Sequence, residues 1–461
     1  MNPYTQVLGA AHVMALDYLD GVCARQVTPT AEALRGLCRF DEALPGAASD
    51  PVDTLRLLHA AGSPATMASQ GGRYFGLVVG GALPAAVGAE WLATAWDQLA
   101  FTDVTSPVAI KLEAVAAGWV LELLGLPPEA TVSFVTGTTM GHLTGLAAAR
   151  AELLRREGYD LPRRGLRDAP PVRIVASAEI HVSALKVLSL LGYGDHEIER
   201  VPVDRQGRMI ADALPKLDAR TIVLAQAGNV NSGSFDPVGA ICDAAHAAGA
   251  WVHVDGAFGV WAKASPDFDD LTRGLERADS WTTDTHKWLN TPYECGLAIC
   301  RHPGAVRAVM GAQAAYTSIG GAASPHDIVP EFSRRARGVE VWAALRSLGG
   351  DGVRELVERC CRHARRFAVG LQDLGLEVLN EVAINQVVAA AETPQATSAL
   401  IEAVQRSGEC WFGPTHWQGR AALRISVSSW RTTDEDVERS LRAIADARRG
   451  LGHYRRTARS A

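Results

Sequence analysis

The spacing of apolar positions predicts a helical N-terminal part. Residues 8–20 carry an apolar stripe with helical spacing, and residues 45–53 form a proline-containing linker. Two more helical patterns follow. One covers residues 84–100, and the other begins at Ser106, which can cap a helix, and Pro107, which suits its first turn. We expect this second helix to end near Gly125, because two prolines follow shortly after it.

From about residue 130 the pattern changes to short apolar runs separated by helical stretches. Such alternation predicts a mostly parallel sheet covered by helices on both faces. In sheets of this kind, ligands bind at the carboxyl ends of the strands. The predicted strands are 131–135, 172–176, 221–225, 251–254, 280–283 and 296–300, and the predicted helices between them are 141–156, 182–191 and 237–248.

After about residue 340 the pattern is that of a smaller α+β domain. It contains predicted helices over 353–374, 396–407 and 434–447 and predicted strands over 377–379, 386–390 and 423–427. The sequence therefore predicts an α/β protein with three parts. These are an N-terminal helical segment (1–75), a large α/β domain (76–338) and a small C-terminal α+β domain (339–461).

Composition excludes several classes of protein. The 461 residues are 48% hydrophobic and 21% charged, which rules out intrinsic disorder. The net charge of -6 leaves no basic excess for binding nucleic acid. The first residues contain no basic n-region and no apolar run of about 18 residues occurs, so we expect neither a signal peptide nor a membrane span. The eight cysteines include no C-x-x-C pair, and no His or Cys spacing suits a metal, so a reduced, cytoplasmic protein is expected.

A lysine follows the predicted strand 280–283 directly, in the sequence Asp284-Thr285-His286-Lys287-Trp288. Burial favours the uncharged amine of a lysine, and that amine is a nucleophile towards carbonyl groups. A lone lysine at such a position is more often a solvated loop residue. The neighbouring motifs decide between these two interpretations.

A carboxylate closes the predicted strand before that one. Asp255 stands in His253-Val254-Asp255-Gly256-Ala257. An aspartate at a strand end often caps a helix. It can also pair with a protonated heteroaromatic nitrogen, which it keeps charged so that the ring withdraws electrons.

Two further motifs lie between a strand and a helix. Residues 136–141 (TGTTMG) are small and hydroxyl-rich, as in a phosphate-binding turn at a helix N-terminus, although such turns are also common helix caps. His181 follows the strand 172–176 and starts a helix. It can cap that helix or stack on a cofactor ring and meet a substrate carboxylate.

Together, these four motifs match the requirements of pyridoxal 5'-phosphate: a phosphate cradle, a stacking histidine, an aspartate for the ring nitrogen and a lysine for a Schiff base. The sequence is similar to the group II pyridoxal-phosphate-dependent amino acid decarboxylases, which have the aspartate aminotransferase fold (fold type I). The resemblance covers essentially the whole chain. It is carried by Ser106-Pro107 with Glu113, residues 134–139, His181, residues 253–257, His286-Lys287-Trp288, and residues 334–337 with Trp342.

The resemblance implies roles for the residues around the cofactor. Lys287 would carry it as the internal aldimine, Asp255 would hold the pyridine nitrogen, and His181 and Ala257 would pack on the two faces of the ring. Asn229 falls where the family places a polar residue near the 3-hydroxyl of the ring. The remaining cofactor-binding positions, at or beside the phosphate, are Thr136, Gly137, Thr138, Thr139, Asp284 and His286.

The resemblance also implies a shared active site in a homodimer. Tyr316 lies in the Gly-, Ala- and Ser-rich stretch 311–325, whose composition suits a mobile loop. The family carries a catalytic tyrosine on such a loop, donated across the dimer interface, which protonates the substrate carbon after carbon dioxide leaves. The N-terminal segment would wrap around the partner subunit.

The substrate pocket is less sharply defined by the sequence. Arg424 lies on a predicted small-domain strand, where fold relatives bind a substrate carboxylate, but a structural salt bridge explains it equally well. Met140 and His142 depart from the family, which often has an acidic residue and an asparagine there. The predicted substrate contacts are Leu77, Val78, Val79, Phe101, Asp103 and Arg424.

The predicted function is therefore decarboxylation of an L-amino acid to the corresponding amine and carbon dioxide. The same set of residues also serves aldolase-type carbon–carbon lyases, aminotransferases and decarboxylation-dependent oxidases, because the orientation of the substrate bond selects the reaction. A sensor domain fused to a DNA-binding regulator is a poorer match, since the N-terminal part contains no basic module.

Overall fold

The computed structural model describes residues 2–312 and 324–459, so the predicted loop tyrosine, Tyr316, lies outside the described residues. The chain divides into two compact units. Unit 1 consists of Met1–Gly81, His363–Leu379 and Val387–Ala461, and unit 2 consists of Ala82–Arg362 and Asn380–Gln386. The division of the chain into three domains stays a prediction.

The helices and strands alternate through the middle of the chain. The helices are α1 (Pro3–Gly21), α2 (Ala31–Gly36), α3 (Pro51–Leu57), α4 (Pro84–Trp96), α5 (Pro107–Leu123), α6 (Thr138–Arg156), α7 (Leu161–Arg164), α8 (Val182–Leu190), α9 (Val238–Ala247), α10 (Pro303–Met310), α11 (Gly338–Asp373, interrupted at Gly349), α12 (Pro394–Ser407) and α13 (Asp434–Arg459). The strands are β1 (Thr131–Val135), β2 (Arg173–Ser177), β3 (Ile198–Val201), β4 (Thr221–Gln226), β5 (Trp251–Asp255), β6 (Ser280–Asp284), β7 (Gly296–Cys300), β8 (Glu377–Val378), β9 (Gln386–Ala390), β10 (Gly413–Trp417) and β11 (Arg420–Ser426).

Unit 2 contains a seven-stranded sheet in the order β1-β7-β6-β5-β4-β2-β3. Neighbours from β6 to β3 pair in parallel, and only β7 runs antiparallel to its two neighbours, β1 and β6. The predicted α/β fold with a mostly parallel sheet is confirmed. Strand β3 was not predicted, because its two central residues, Glu199 and Arg200, are charged and interrupt the apolar run.

The three central strands of this sheet, β4, β5 and β6, each end on a polar residue. Every residue of β4, β5 and β6 is buried, as expected for strands that are covered on both faces. Strand β4 is mostly apolar, whereas β6 combines a tryptophan with hydroxyl-bearing residues. The polar end residues are Gln226, Asp255 and Asp284. Gln226 is in register with Asp255 on the neighbouring strand, and Asp255 is in register with Thr282 on the next. Polar side chains therefore emerge together at the carboxyl edge of the sheet.

Unit 1 contains a four-stranded antiparallel sheet in the order β10-β11-β9-β8, with α12 and α13 among its helices. Tyr74 stacks on Trp411 with ring centroids 5.0 Å apart. Helix α1 belongs to the same unit, and no residue of this helix is buried. In the described part of the chain, no helix is both long and apolar enough to cross a membrane.

A buried ion pair in unit 2 gives a prediction for stability. Arg334 donates two hydrogen bonds of 2.6 Å to the Glu113 carboxylate, and both side chains are almost fully buried. Removing one partner leaves a buried charge without compensation. We expect Arg334→Ala to lower the free energy of unfolding by about 3–5 kcal/mol, measured by urea denaturation. The exposed pair of Arg354 and Asp351 is the control, and Arg354→Ala should cost less than about 1 kcal/mol. Equal losses in the two variants would contradict the assignment.

Candidate active site

Asp284, the last residue of β6, connects a lysine to a helix N-terminus. Its carboxylate is buried, and Oδ1 accepts a hydrogen bond of 2.6 Å from the backbone N–H of Thr138, the first residue of α6. Its Oδ2 lies 3.0 Å from Lys287 Nζ. The Lys287 side chain retains only 20% of its exposure. The lysine is therefore held at the sheet edge by an ion pair and does not project from a loop into solvent.

His286 is packed beside the same carboxylate. Its Nδ1 accepts a hydrogen bond of 3.1 Å from the Cys295 N–H, and its ring stacks on Tyr293 at 4.4 Å. Burial lowers the pKa of His286, and the positive charge of Lys287 acts in the same direction. The neutral ring consequently carries its proton on Nε2, which lies 3.7 Å from Asp284 Oδ2.

The predicted phosphate cradle lies at the start of α6. A Cβ added to Gly137 would make ordinary contacts of 3.4 Å with Asp284 Oδ1 and His286 Cε1, so this turn lies directly beside both side chains. The buried Thr138 Oγ1 meets no hydrogen-bond partner among the described residues. A buried hydroxyl without a partner costs free energy, and an anion at the helix N-terminus would satisfy it. Thr136 is half-buried and Thr139 is exposed at the same turn.

Asp255, the last residue of β5, is held at both oxygens. Oδ1 accepts a hydrogen bond of 3.1 Å from the Ala257 N–H, and Oδ2 lies 3.3 Å from His142 Nε2. Burial raises the pKa of Asp255, but its interactions with His142, His181 and Lys287 outweigh burial and hold that pKa below its usual range. The carboxylate is therefore ionised at neutral pH, and the side chains of His181 and Lys287 are close enough to act on it.

His181 caps helix α8, as one of the two sequence-based interpretations predicted. Its Nδ1 accepts a hydrogen bond of 3.3 Å from the backbone N–H of Ser183 and lies 2.8 Å from the Ser183 hydroxyl. This capping contact fixes the orientation of the imidazole ring. Capping does not exclude stacking on a cofactor ring, because the two functions use the edge and the face of the imidazole.

Asn229 lies in the buried turn after β4. Its Oδ1 accepts hydrogen bonds from the backbone N–H groups of Asn231 and Ser232. Its Nδ2 is buried and meets no acceptor within the described residues. A donor in this state suits a ligand oxygen, such as the 3-hydroxyl that the resemblance places there.

The predicted substrate contacts fall in both units. Phe101, in unit 2, stacks on His326 with ring centroids 4.2 Å apart, and Asp103 follows it in the same loop. Leu77 and Val78, in unit 1, adopt left-handed backbone conformations with φ values of 55° and 60°. Such values are strained for a β-branched residue and cluster at functional sites. The roles of these residues and of Val79 stay predictions.

Arg424 lies on β11 in unit 1, opposite Gly413 of β10. Burial lowers the pKa of its guanidinium group. A buried arginine of this kind fits either a substrate carboxylate or a structural partner, and its role therefore also stays a prediction.

The sequence did not identify His142 as part of the site, although it contacts Asp255. Only its departure from the family pattern was apparent. The usable signal was its position: His142 lies one helical turn after Thr138 at the start of α6, so the two side chains point to the same side of the helix.

Comparisons with known proteins identify the family of this chain. A family model described as the pyridoxal-dependent decarboxylase conserved domain matches residues 70–390. The chain is 23% identical over 448 residues to an aromatic-L-amino-acid decarboxylase of Bacillus atrophaeus, covering 92% of this chain and 91% of the relative. It is 28% identical over 395 residues to an L-2,4-diaminobutyrate decarboxylase of Rhizobium meliloti, covering 79% and 76%.

A solved structure shares the fold. The crystal structure of Oryza sativa TDC with PLP and tryptamine superposes with a TM-score of 0.89, at 23% sequence identity and with 98% of each chain covered. The predicted family, fold and cofactor are confirmed. The match of the family model over most of the chain shows that this protein belongs to the pyridoxal-dependent decarboxylases, which are carboxy-lyases that act on amino acids with pyridoxal phosphate.

Proposed function

We propose that this chain converts an L-amino acid to the corresponding amine and carbon dioxide, with pyridoxal phosphate held covalently on Lys287. One observation carries the proposal. Asp255 and Lys287 stand at the carboxyl ends of neighbouring parallel strands, and Lys287 is close enough to act on the ionised Asp255. A nucleophilic amine and a carboxylate for a ring nitrogen are thereby brought to the same edge of the sheet.

The residues of the chain fit the cofactor. Thr138 Oγ1 and Asn229 Nδ2 are buried donors without acceptors in the described structure, and we assign them to the phosphate and to the 3-hydroxyl, respectively. His286 Nε2–H, first-turn amides of α6 other than that of Thr138, and the hydroxyls of Thr136 and Thr139 complete the predicted phosphate contacts. Asp284 orients this end of the site through its bonds to Thr138 and Lys287.

Each residue then has a distinct task. When bound, the cofactor supplies an electron-withdrawing ring that accepts the electron pair left as carbon dioxide departs. The Asp255 carboxylate keeps the proton on the ring nitrogen. His181 and Ala257 would pack on the two faces of the ring, and the Lys287 amine would hold the cofactor. Tyr316, which lies outside the described residues, would return a proton to the substrate α-carbon.

The substrate pocket determines which bond breaks. We propose that Leu77, Val78, Val79, Phe101, Asp103 and Arg424 line it. They would turn the bond to the carboxylate perpendicular to the cofactor ring, which favours decarboxylation. A different orientation would give a carbon–carbon lyase or an aminotransferase. A decarboxylation-dependent oxidase would break the same bond and differ in the fate of the α-carbon after carbon dioxide leaves.

A panel of L-amino acids tests the proposed reaction. The protein loaded with pyridoxal phosphate should release carbon dioxide and the matching amine in equal amounts from at least one member. Carbon dioxide with an aldehyde in place of the amine would favour an oxidase. A keto acid without carbon dioxide, or retro-aldol cleavage, would overturn the decarboxylase assignment.

We further propose a cytoplasmic homodimer with shared active sites. Helix α1 has no buried residue and exposes four large apolar or aromatic side chains: Tyr4, Leu8, Val13 and Leu16. A partner subunit would bury this surface, as the resemblance implies. The eight cysteines include no C-x-x-C pair, which suits a reducing compartment. Light scattering should give twice the 49.0 kDa chain mass, and an active monomer would contradict the proposal.

A further inference from the structure

Four buried side chains form a continuous chain of contacts that ends on Asp255. The Trp251 Nε1–H donates to Ser280 Oγ at 2.9 Å, and Ser280 Oγ lies 2.8 Å from His253 Nδ1. His253 Nε2 then lies 2.9 Å from His142 Nδ1. Finally, His142 Nε2 lies 3.3 Å from Asp255 Oδ2. All four side chains belong to residues that are fully buried.

The order of donors in this chain follows from the chemistry of its members. An indole N–H can only donate, so Ser280 Oγ must accept from Trp251. Among the described residues, the Ser280 hydroxyl proton meets one acceptor, His253 Nδ1. Burial, reinforced by the neighbouring His142, lowers the pKa of His253 to about 3, so the ring is neutral. Its single proton is therefore on Nε2.

The position of the proton on His142 follows from that on His253. Because His253 Nε2–H donates to His142 Nδ1, that nitrogen carries no proton. The proton of His142 is consequently on Nε2, which faces Asp255 Oδ2. This N–H is not aligned on the oxygen, and it meets no other acceptor in the described part of the chain. A small rotation of the carboxylate or the imidazole would complete the bond.

The packing around the histidines favours this arrangement. His142 and Gly145 lie one turn apart on α6, and a Cβ on residue 145 would lie 2.8 Å from His253 Cε1. The absence of a side chain there lets the His253 ring lie against the helix. A histidine pair that served only to fill the core would not need a donor-only residue at one end and an ionised carboxylate at the other.

We propose that Trp251, Ser280, His253 and His142 form a one-way hydrogen-bond chain, and that His142 is a positioning residue that orients Asp255 towards the cofactor ring nitrogen. The proposal rests on the proposed function, because it assumes that Asp255 meets that nitrogen. A donor directed at a carboxylate lowers its affinity for a proton. The shared proton therefore stays on the ring nitrogen, and the ring keeps its positive charge.

The groups that titrate near this chain come from several elements. His142 lies on α6, His253 and Asp255 on β5, His181 at the start of α8 and Lys287 after β6. His142, His181 and Lys287 act on Asp255, and His142 and Asp255 act on His253. A measurement of pH dependence must therefore compare variants at Ser280, near the other end of this hydrogen-bond chain, with variants at His142.

The test uses the visible absorption band of the pyridoxal phosphate holoenzyme, followed as a function of pH. We expect His142→Leu to raise the pH midpoint of the band by about one unit. In this variant the shared proton moves from the ring nitrogen towards Asp255, so the ring loses its positive charge. The ring then no longer repels a proton on the Lys287 nitrogen. We also expect the dissociation constant of the cofactor, measured by fluorescence titration, to rise about tenfold or more.

Three further variants separate this role from simple packing. Ser280 contacts Trp251 and His253 and lies away from Asp255 in the hydrogen-bond chain. Ser280→Ala should nevertheless shift the pH midpoint of the band in the same direction as His142→Leu, by a smaller amount. His142→Asn retains a donor and should recover most of the wild-type midpoint. His246→Leu removes a half-exposed histidine that pairs with Asp279, and it should leave the midpoint unchanged.

One result would decide against the inference. Unchanged midpoints and cofactor affinities in both His142→Leu and Ser280→Ala would overturn it, even if the variants were less stable. If His142→Leu does not fold, Ser280→Ala decides alone. A wild-type protein that forms no visible band with pyridoxal phosphate would instead overturn the proposed function, so the two failures are distinguishable.

Discussion

Replacement of Lys287 by alanine is expected to abolish the visible band of the holoenzyme and to lower kcat by roughly four or more orders of magnitude. The variant loses the amine that holds the cofactor, and the Asp284 carboxylate loses its partner at 3.0 Å. Lys287 is the lysine that follows β6, and the lysine that follows β5, Lys263, pairs with Glu276. The measurements are an absorption spectrum after loading with pyridoxal phosphate and an assay for released carbon dioxide.

Lys263 provides a matched control for this experiment. It is also a partly buried lysine of unit 2, but it pairs with Glu276 at 3.3 Å. Lys263→Ala should retain the band and at least most of the activity. A visible band that survives in Lys287→Ala would show that another lysine carries the cofactor, and the assignment of the site would then be wrong.

Replacement of Asp255 by asparagine is expected to lower kcat by about a hundredfold to a thousandfold. The amide keeps the shape of the side chain and can still accept the Ala257 N–H bond. It lacks the negative charge that keeps the ring nitrogen protonated, so the ring withdraws electrons less strongly. Steady-state kinetics on the amino acid identified by the panel would measure the effect.

The pattern of kinetic constants makes the Asp255 prediction specific. The loss should appear in kcat more than in KM, because the charge acts as the bond to carbon dioxide breaks. Asp243→Asn is the control: Asp243 is an exposed aspartate of α9 that pairs with Arg277. If Asp255→Asn retained wild-type kcat, Asp255 would have no role at the ring nitrogen.

The sequence predicted the parallel part of the fold well, because its central strands are buried and rich in apolar or β-branched residues. Their ends were placed within one or two residues. Two strands were missed for physical reasons. Strand β3 has charged central residues, and β10 contains Pro414 and His416 and lies at the edge of its sheet. Neither produces the apolar pattern on which the prediction depends.

The polar residues at the strand ends were also visible in the sequence. A lysine and an aspartate that interrupt apolar runs need partners, and neighbouring parallel strands bring their ends to one edge. The contact of His142 with Asp255 could not be predicted in this way. It joins residues more than a hundred positions apart through the packing of α6 against the sheet, and no local pattern encodes such a pairing. The roles of the predicted substrate contacts, such as Phe101 in unit 2 and Arg424 in unit 1, stay predictions.

The most direct test of the central claim is to locate the covalent attachment. Borohydride reduction of the holoenzyme fixes pyridoxal phosphate to the amine that holds it, and digestion followed by peptide mass spectrometry identifies that amine. The account predicts one modified residue per chain, Lys287, in the peptide that contains His286 and Trp288. Modification of a different lysine, or no modification after the band has formed, would contradict it.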